Sequence, residues 1–474
     1  MSLNGKGIEE KSRNLRPAKT QEATSGLKRT DASASVAARF RQSTAALRSS
    51  RVSSIGFAFL IAFFVVYCSR PEGWIFFLRP IPVAKITAGG AIVALWSGNA
   101  RLRLKDLPRE AHYLLAMIIV LLFSAVLSPI WRGGAVLEWI VFSKIFVVYV
   151  LIYMLVTDMK KLRQVIFVQA ASMVVVTTLS ILKGSSRPRL EGVIGGVFSN
   201  PNDLAFAIVL SLPFCLAFLV TAKNLLVKCA WIAGMLVMLS ALFLTASRAG
   251  FIDLLISGAV CLWHFGIRGR RYSLIAVTLV LSTLLLATAG KKLVTRFEAI
   301  SEGTKGDSAY GSYEARRELM VKALQGLEHY PLLGMGPGNF VSYSGSWHEV
   351  HMTYLQIAVE GGIPSLILYL LIFGGGFRNL RELGKRKDLL VEDEVFRGAM
   401  HSSFVGFVVG ALFSPEAYHF FPYFAVAYTS VMVAMFRRKD GGLAPEPASD
   451  WRQRRMISMD GAHEKRQPRL TVPR

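Results

Sequence analysis

The feature that most constrains this chain is a succession of about twelve apolar runs, each near the ~20 residues that a helix needs to cross a ~30 Å hydrocarbon core. They lie near 55–69, 81–98, 112–130, 135–157, 162–182, 203–222, 225–245, 249–267, 272–289, 352–374, 399–415 and 420–436. The predicted fold class is therefore all-α and polytopic, with about 12 transmembrane helices. The first and last pairs are the least regular: Arg79, Pro80 and Pro82 interrupt the stretch from Arg70 to Lys85, and His419 and Pro422 break the last pair. Between the ninth and tenth runs stands a long polar segment, 290–350, too large for a plain connection.

Composition agrees. Of 474 residues, 53% are apolar and 18% charged, whereas a soluble domain carries about 25% charge, which argues against a soluble enzyme. The net charge of +24 would suggest nucleic acid in a soluble protein, but here it sits at the ends and in short loops. Residues 1–54 hold eleven Lys/Arg against four acids, and the tail 437–474 holds ten against five. Both are read as disordered basic cytoplasmic tails held inside by the positive-inside rule and drawn to anionic membrane lipids. No aromatic residues interleave the N-terminal charges as a nucleic-acid platform requires, so nucleic acid is not an expected partner. The first apolar run begins only near Ile55, so it reads as a span and not as a cleavable signal peptide. Cys68, Cys215, Cys229 and Cys261 all fall in apolar stretches without CxxC spacing, and support neither a disulfide framework nor a zinc site.

With the N-terminus inside, alternate loops should be basic, and they are: Arg101, Arg103, Lys105 and Arg109; Lys160, Lys161 and Arg163; Arg268, Arg270 and Arg271; Arg378, Arg381, Lys385, Arg386 and Lys387. An even count of spans returns the C-terminus inside. The resulting divisions are spans one to nine over 55–289, a large outward loop over 290–350, and spans ten to twelve over 351–436. Arginine on the outward side then runs against the topological preference. It occurs in "KGSSRPRLEG" (Arg187, Arg189), in "TASRAGF" (Arg248) and in "YEARRELM" (Arg316, Arg317). Within the long loop, Ala315, Leu319, Met320, Ala323, Leu324 and Leu327 recur at helical spacing until Pro331 stops the pattern, which predicts a partly helical loop.

Several local motifs invite chemistry. "GMGPGNF" (Gly334 to Phe340) lacks the Lys-Ser/Thr of a P-loop and follows no strand, so a tight turn at the membrane surface explains it better than a nucleotide site. His348 and His351 are three apart, but HEVH is not HExxH and no acidic third ligand is spaced for zinc, so no metal is expected. His351 stands at the outward edge of a span, where a neutral imidazole can act as a base or simply anchor the helix. Arg248, a charge at a span terminus, either snorkels or binds something. Asn202 and Asp203 before an apolar run are good N-cap types, and a helix N-terminus also favours an anion. Glu138, Lys144 and Asp253 inside spans read as pairs between helices, Glu138 with Lys144 from neighbouring turns, ahead of an ion path.

Four segments, "GGVFSNPNDLA", "LTASRAGF", "RRELMVKALQGLEHYPLLGMGPGNF" and "HMTYLQIAVEGGIPS", resemble in order and spacing the O-antigen ligase and polymerase superfamily of membrane glycosyltransferases. The resemblance covers about Ile55 to Phe436. It implies a multi-pass protein of the bacterial inner membrane that takes a glycan from an undecaprenyl-diphosphate donor on the periplasmic side, in lipopolysaccharide or exopolysaccharide synthesis. It puts the functional histidine at His351 and diphosphate-binding arginines at Arg248 and Arg316, helped by Arg187 and Arg189, with Asn202 and Glu360 in support. The acceptor would be a growing glycan or a lipid A-core sugar, and a chain-length regulator is a candidate partner. Met352 stands where relatives carry Asn and Met320 where they often carry Trp; the first departure leans the reading towards polymerisation. An arginine fork suits diphosphate, and a base suits an acceptor hydroxyl, so direct displacement would invert the anomeric centre without metal or cofactor. The competing class is a transporter of a small anion or lipid-linked oligosaccharide; about twelve spans fit it, but no two similar halves or matched broken helices are found.

Overall fold

The computed structural model describes residues 54–97, 104–184, 189–192, 200–276, 283, 308–346 and 348–441. Among these the regular structure is helical throughout. The principal helices are α1 (Ser54–Ser69), α2 (Val83–Ser97), α3 (Arg109–Val126), α4 (Arg132–Leu155), α5 (Met159–Lys183), α6 (Pro201–Thr221), α7 (Leu225–Thr245) and α8 (Arg248–Cys261). After α8, which runs on as a π-helical segment to Arg268, come α9 (Ser308–His329), α10 (Phe340–Ser344), α11 (Thr353–Lys385), α12 (Val391–Gly410) and α13 (Phe420–Gly441). Eight of these helices are long and apolar enough to cross a membrane, and α1 and α2 are shorter apolar helices.

Local sequence explains where the helices begin. The side chains of Asp158, Asn200, Asn224 and Ser247 each accept a hydrogen bond from a backbone N–H in the following turn, opening α5, α6, α7 and α8 respectively. Pro201 follows its cap at the first helical position, where a missing N–H costs nothing. Asn202 and Asp203, expected to cap this helix, instead lie inside its first turn because Asn200 takes the cap, and this frees their side chains for other partners. Connections of a few residues at Val156–Asp158 and Ala222–Asn224 make successive helices antiparallel. One face of the bundle thus gathers the ends of α3, α5, α7 and α12 with the beginnings of α4, α6, α8, α11 and α13.

α13 and α6 are the most enclosed spans, 83% and 72% buried, while α7, at 28%, lies at the periphery. α12 packs against α6 and α8 along its length. Its first turn carries Glu392, Asp393 and Glu394, so hydropathy alone places its start late. Arg163 donates to Glu392 and Asp393, both at 2.5 Å, and these bonds let the helix begin at Val391, eight residues before the apolar run expected at 399–415. The run expected at 352–374 continues as helix to Lys385. The expected span 272–289 lies outside the described residues apart from its first turn and Thr283, as does all of 290–307.

The inner face of the expected loop helix is real but narrower than its apolar pattern. Leu319 and Ala323 are buried with Met335, Phe340, Val350, Leu355 and Val359 in a small core of their own, whereas Met320 and Leu324 are about half exposed. Each fully buried side chain of this size contributes about 1.5–3 kcal/mol. α11 makes room for the turn that follows α9. At Gly362 the helix breaks, φ 76° and ψ 172°, and a Cβ there would stand 2.2 Å from the Leu332 carbonyl oxygen, so only glycine fits. Met335 and Gly336 N–H donate to the Val359 and Glu360 carbonyls at 3.0 and 2.9 Å, and Ile363 N–H donates to Pro331 O at 2.8 Å.

Two expected pairs inside spans do not form. Glu138 and Lys144 are six residues apart, which puts them on different sides of α4; Lys144 is exposed, and His419 acts on Glu138 electrostatically more than Lys144 does. Asp253 is 1% exposed, and neither of its oxygens has a hydrogen-bond partner. It abuts the glycine positions Gly406 and Gly410 of α12.

Candidate active site

The chain between α7 and α8 turns sharply. Ala246 adopts the left-handed conformation, φ 50°, and Ser247 caps α8, so Arg248 leaves the turn as the first residue of that helix. Gly250 lets α8 approach α6 closely; a Cβ there would lie 2.7 Å from that of Ala205. This contact brings Ser247 beside the first turn of α6. The Asn202 side-chain oxygen accepts from Ser247 Oγ at 2.8 Å and from Arg189 Nη2 at 3.0 Å. Arg189 also donates through Nε to the Thr245 carbonyl at 2.9 Å, and Leu190 N–H donates to Leu244 O at 2.9 Å. Arg189 and Asn202 therefore tie the ends of three helices together around Arg248.

Arg316 reaches the same place from the other side. It lies three residues before Leu319 and seven before Ala323 on α9, and so shares their inward face. Burial and the neighbouring Arg248 lower its pKa. Two guanidinium groups this close repel one another, and an anion seated beside both would relieve that repulsion. Arg317, one residue on, is exposed.

His351 stands just before α11, half-buried, with its ring centroid 6.1 Å from that of His348. Burial, Arg316 and His348 together pull its pKa from 6.5 down to about 4. The ring is therefore neutral near pH 7 and able to accept a proton.

Glu360 is not at the surface of the site. It is 1% exposed at the kink of α11, where its Oε1 accepts from Phe340 N–H at 3.3 Å and its carbonyl accepts from Ser124 Oγ at 2.8 Å and from Gly336 N–H. It supports the "GMGPGNF" turn, as does Asn339, whose Nδ2 donates to Ser128 Oγ, Met335 O and Trp131 O at 2.7, 2.9 and 3.2 Å. Arg187 lies outside the described residues. Among the described residues no three His, Cys, Asp or Glu side chains are grouped as a metal site. A cavity of 670 Å³ opens at the opposite face, lined by Arg163, Asp388, Glu392 and Asp393 among others. Its arginine is already bound by two carboxylates, so it lacks the converging positive charge of the Arg248–Arg316 face.

Sequence reasoning missed Ser247 as a partner of Asn202, and it missed Glu416 and His419, which close the same face. His419 appeared only as a break in an apolar run. The one available signal was a glutamate and a histidine three apart, "PEAYH", at the outward end of a span.

The molecule is thus a helical membrane bundle with arginines and a neutral histidine gathered at one face. Residues 233–370, which contain Arg248, Arg316, His351 and Glu360, match the family model described as O-antigen ligase. Over that stretch the chain is similar to the O-antigen ligase family of multi-pass membrane proteins. No curated protein matches the chain.

Proposed function

We propose that the protein is an inverting, metal-independent glycosyltransferase of the periplasmic side of the bacterial inner membrane, transferring or polymerising glycan from an undecaprenyl-diphosphate donor. The observation that carries this is the convergence of Arg248, Arg316 and His351 from three separate segments. The two guanidinium groups hold the diphosphate through paired charge-assisted bonds. His351 takes the proton of an acceptor hydroxyl as its oxygen attacks the anomeric carbon. The bond from that carbon to the diphosphate breaks on the far side, and the lipid diphosphate leaves with its charge neutralised by the arginines. Arg189 and Asn202 act through Arg248 by fixing the turn that carries it. Both termini are assigned to the cytoplasm. The acceptor is a growing glycan or a lipid A-core sugar, and a chain-length regulator would act with the first.

Purified protein with a synthetic undecaprenyl-diphosphate oligosaccharide, no nucleotide and EDTA present should yield longer lipid-linked or core-linked product, lost in His351→Ala. A deletion strain separates the two acceptors. Loss of capped lipopolysaccharide with accumulation of long lipid-linked glycan means ligation; single repeat units or lost exopolysaccharide mean polymerisation. One observation favours a second reading, a transporter of a small anion or lipid-linked oligosaccharide: the unpartnered Asp253 carboxylate in mid-span. Substrate flux into proteoliposomes without glycosidic bond formation would establish it instead.

A further inference from the structure

The loop between α12 and α13 brings a second set of side chains to the same face, one that the transfer chemistry above does not use. Glu416 is 4% exposed; its Oε1 accepts from Ser414 Oγ at 3.0 Å, and its other oxygen is bonded to His419 Nδ1. The loop is pinned to the start of α11: Thr353 Oγ1 donates to Ser414 O at 2.6 Å and accepts from Glu416 N–H at 3.0 Å. Asp203 of α6, Glu349 of the segment before α11 and Glu138 of α4 lie near enough to act on His419 electrostatically. One carboxylate thus bonds the imidazole and three more lie within electrostatic range.

These groups border the arginine site directly. Asn202, which anchors the Arg248 turn, is followed in the chain by Asp203, and Glu349 lies between His348 and His351. The face therefore has a cationic part, with Arg248, Arg316 and His351, and an acidic part joined to it along the chain through Asn202–Asp203 and His348–Glu349. The acidic part also has hydrogen-bond acceptors without donors. The Asp203 Oδ1 atom is buried and unbonded. Gln356, 2% exposed, donates through Nε2 to Glu349 at 3.4 Å while its Oε1 has no partner. A buried acceptor without a donor costs about 1–3 kcal/mol, and sugar hydroxyls or a sugar ammonium group would satisfy it.

We propose that the wall formed by Asp203, Glu349, Gln356 and the Glu416–His419 pair is the acceptor subsite, and that it selects a neutral or amino-bearing acceptor sugar over a uronate or phosphorylated one. The inference rests on the glycan-transfer reading and names the acceptor class of that same site. An anionic acceptor would meet the carboxylates of this wall and be drawn instead to the arginines that hold the donor. His419 positions Glu416 and offsets part of the wall's charge, leaving the more accessible Glu349 to meet the ligand.

The test uses full-length protein in lipid nanodiscs with an undecaprenyl-diphosphate oligosaccharide donor. The acceptors are oligosaccharides identical except for a terminal glucose, glucosamine or glucuronate, each offered on a polyprenyl carrier and on a lipid A-core fragment. The expected result, on whichever carrier is used, is a kcat/KM for glucose and glucosamine roughly tenfold or more above that for glucuronate. Glu349→Gln, at an exposed position outside any helix, should narrow that ratio to roughly threefold. Glucuronate used as well as glucose, or a ratio that Glu349→Gln leaves unchanged, overturns the proposal. If no acceptor is used at all, the transfer reading falls separately, and calorimetric binding of the three free oligosaccharides decides the subsite. Tighter binding of the glucosamine than of the glucuronate form supports it, and equal or reversed affinity overturns it.

Discussion

The two faces of the bundle handle positive charge in opposite ways. At the face away from the site, Arg163 meets Glu392 and Asp393, Arg268 and Arg397 meet Glu394, Arg386 meets Asp388 and Asp440, and Arg437 meets Glu382. At the site face Arg248 and Arg316 lie close enough to repel one another, and Glu416, Asp203 and Glu349 act on His419. The first arrangement uses charge to hold helices in register. The second keeps charges of one sign together, which costs stability and is useful only if a ligand of the other sign is bound.

The largest effects should come from the site face. Arg316→Ala and Arg248→Ala, one at a time, should cut glycan transfer by roughly a hundredfold or more, and His351→Ala by roughly 10²–10⁴-fold, without loss of folded protein. Transfer by purified variants, with size-exclusion profiles alongside, checks this. Arg437→Ala, at the other face, should stay within about twofold of wild type because exposed ion pairs contribute little. If both faces respond alike, the contrast between them is wrong.

Next in size is the seat of the loop helix. Gly362→Ala places a Cβ against the Leu332 carbonyl in a backbone conformation that only glycine adopts readily. It should displace the "GMGPGNF" turn, so that transfer falls with Arg316 and His351 intact, and limited proteolysis should cut more readily near residues 330–340. Replacing buried Arg397 by Met removes the partner of Glu394 and should cost about 1–3 kcal/mol, read as a lower melting temperature with the site chemistry retained.

The pH dependence should also differ across the site. His351, with its pKa lowered to about 4, stays neutral well below the usual imidazole range. The kcat/KM profile, which reports the free enzyme, should therefore hold its acid limb down to about 4–5 and not fall near 6.5. His419 goes the other way. Burial lowers its pKa, but the Glu416 carboxylate and their hydrogen bond, with Asp203 and Glu349 behind them, raise it to about 9. A histidine pKa raised on folding stabilises fully below 6.5 and ceases to do so as pH rises through about 9. The α12–α13 loop should accordingly loosen in alkali, measurable as faster amide exchange over residues 411–419. In His419→Gln that alkaline step should vanish. The smallest effect expected is that of Arg317→Ala, an exposed neighbour of Arg316, which should leave transfer within about twofold.

Much of this was legible in the chain itself. The all-helical membrane class, the approximate place of most apolar helices and the loop helix follow from run length and periodicity, which act over a few residues. Arg248, Arg316 and His351 stand out because each is polar where local pattern asks for apolar or neutral residues. α12 was misplaced because hydropathy counts Glu392 to Glu394 as cost, whereas Arg163 and Arg268, more than a hundred residues away, convert them to ion pairs. Asn202 looked like a cap, and only the approach of Ser247 and Arg189 shows that its oxygen ties three helix ends together.

The sequence by itself determined that the chain is a membrane bundle and which residue types stand at its ends, because lipid imposes a length and polarity on every span separately. The tertiary structure alone decided which of those ends meet. Arg316 joins Arg248 because Leu319 and Ala323 seat α9 on the broken helix α11. Glu416 and His419 join Asp203 because Thr353 pins their loop. Contacts between residues more than two hundred positions apart depend on how helices pack, and no local pattern encodes them.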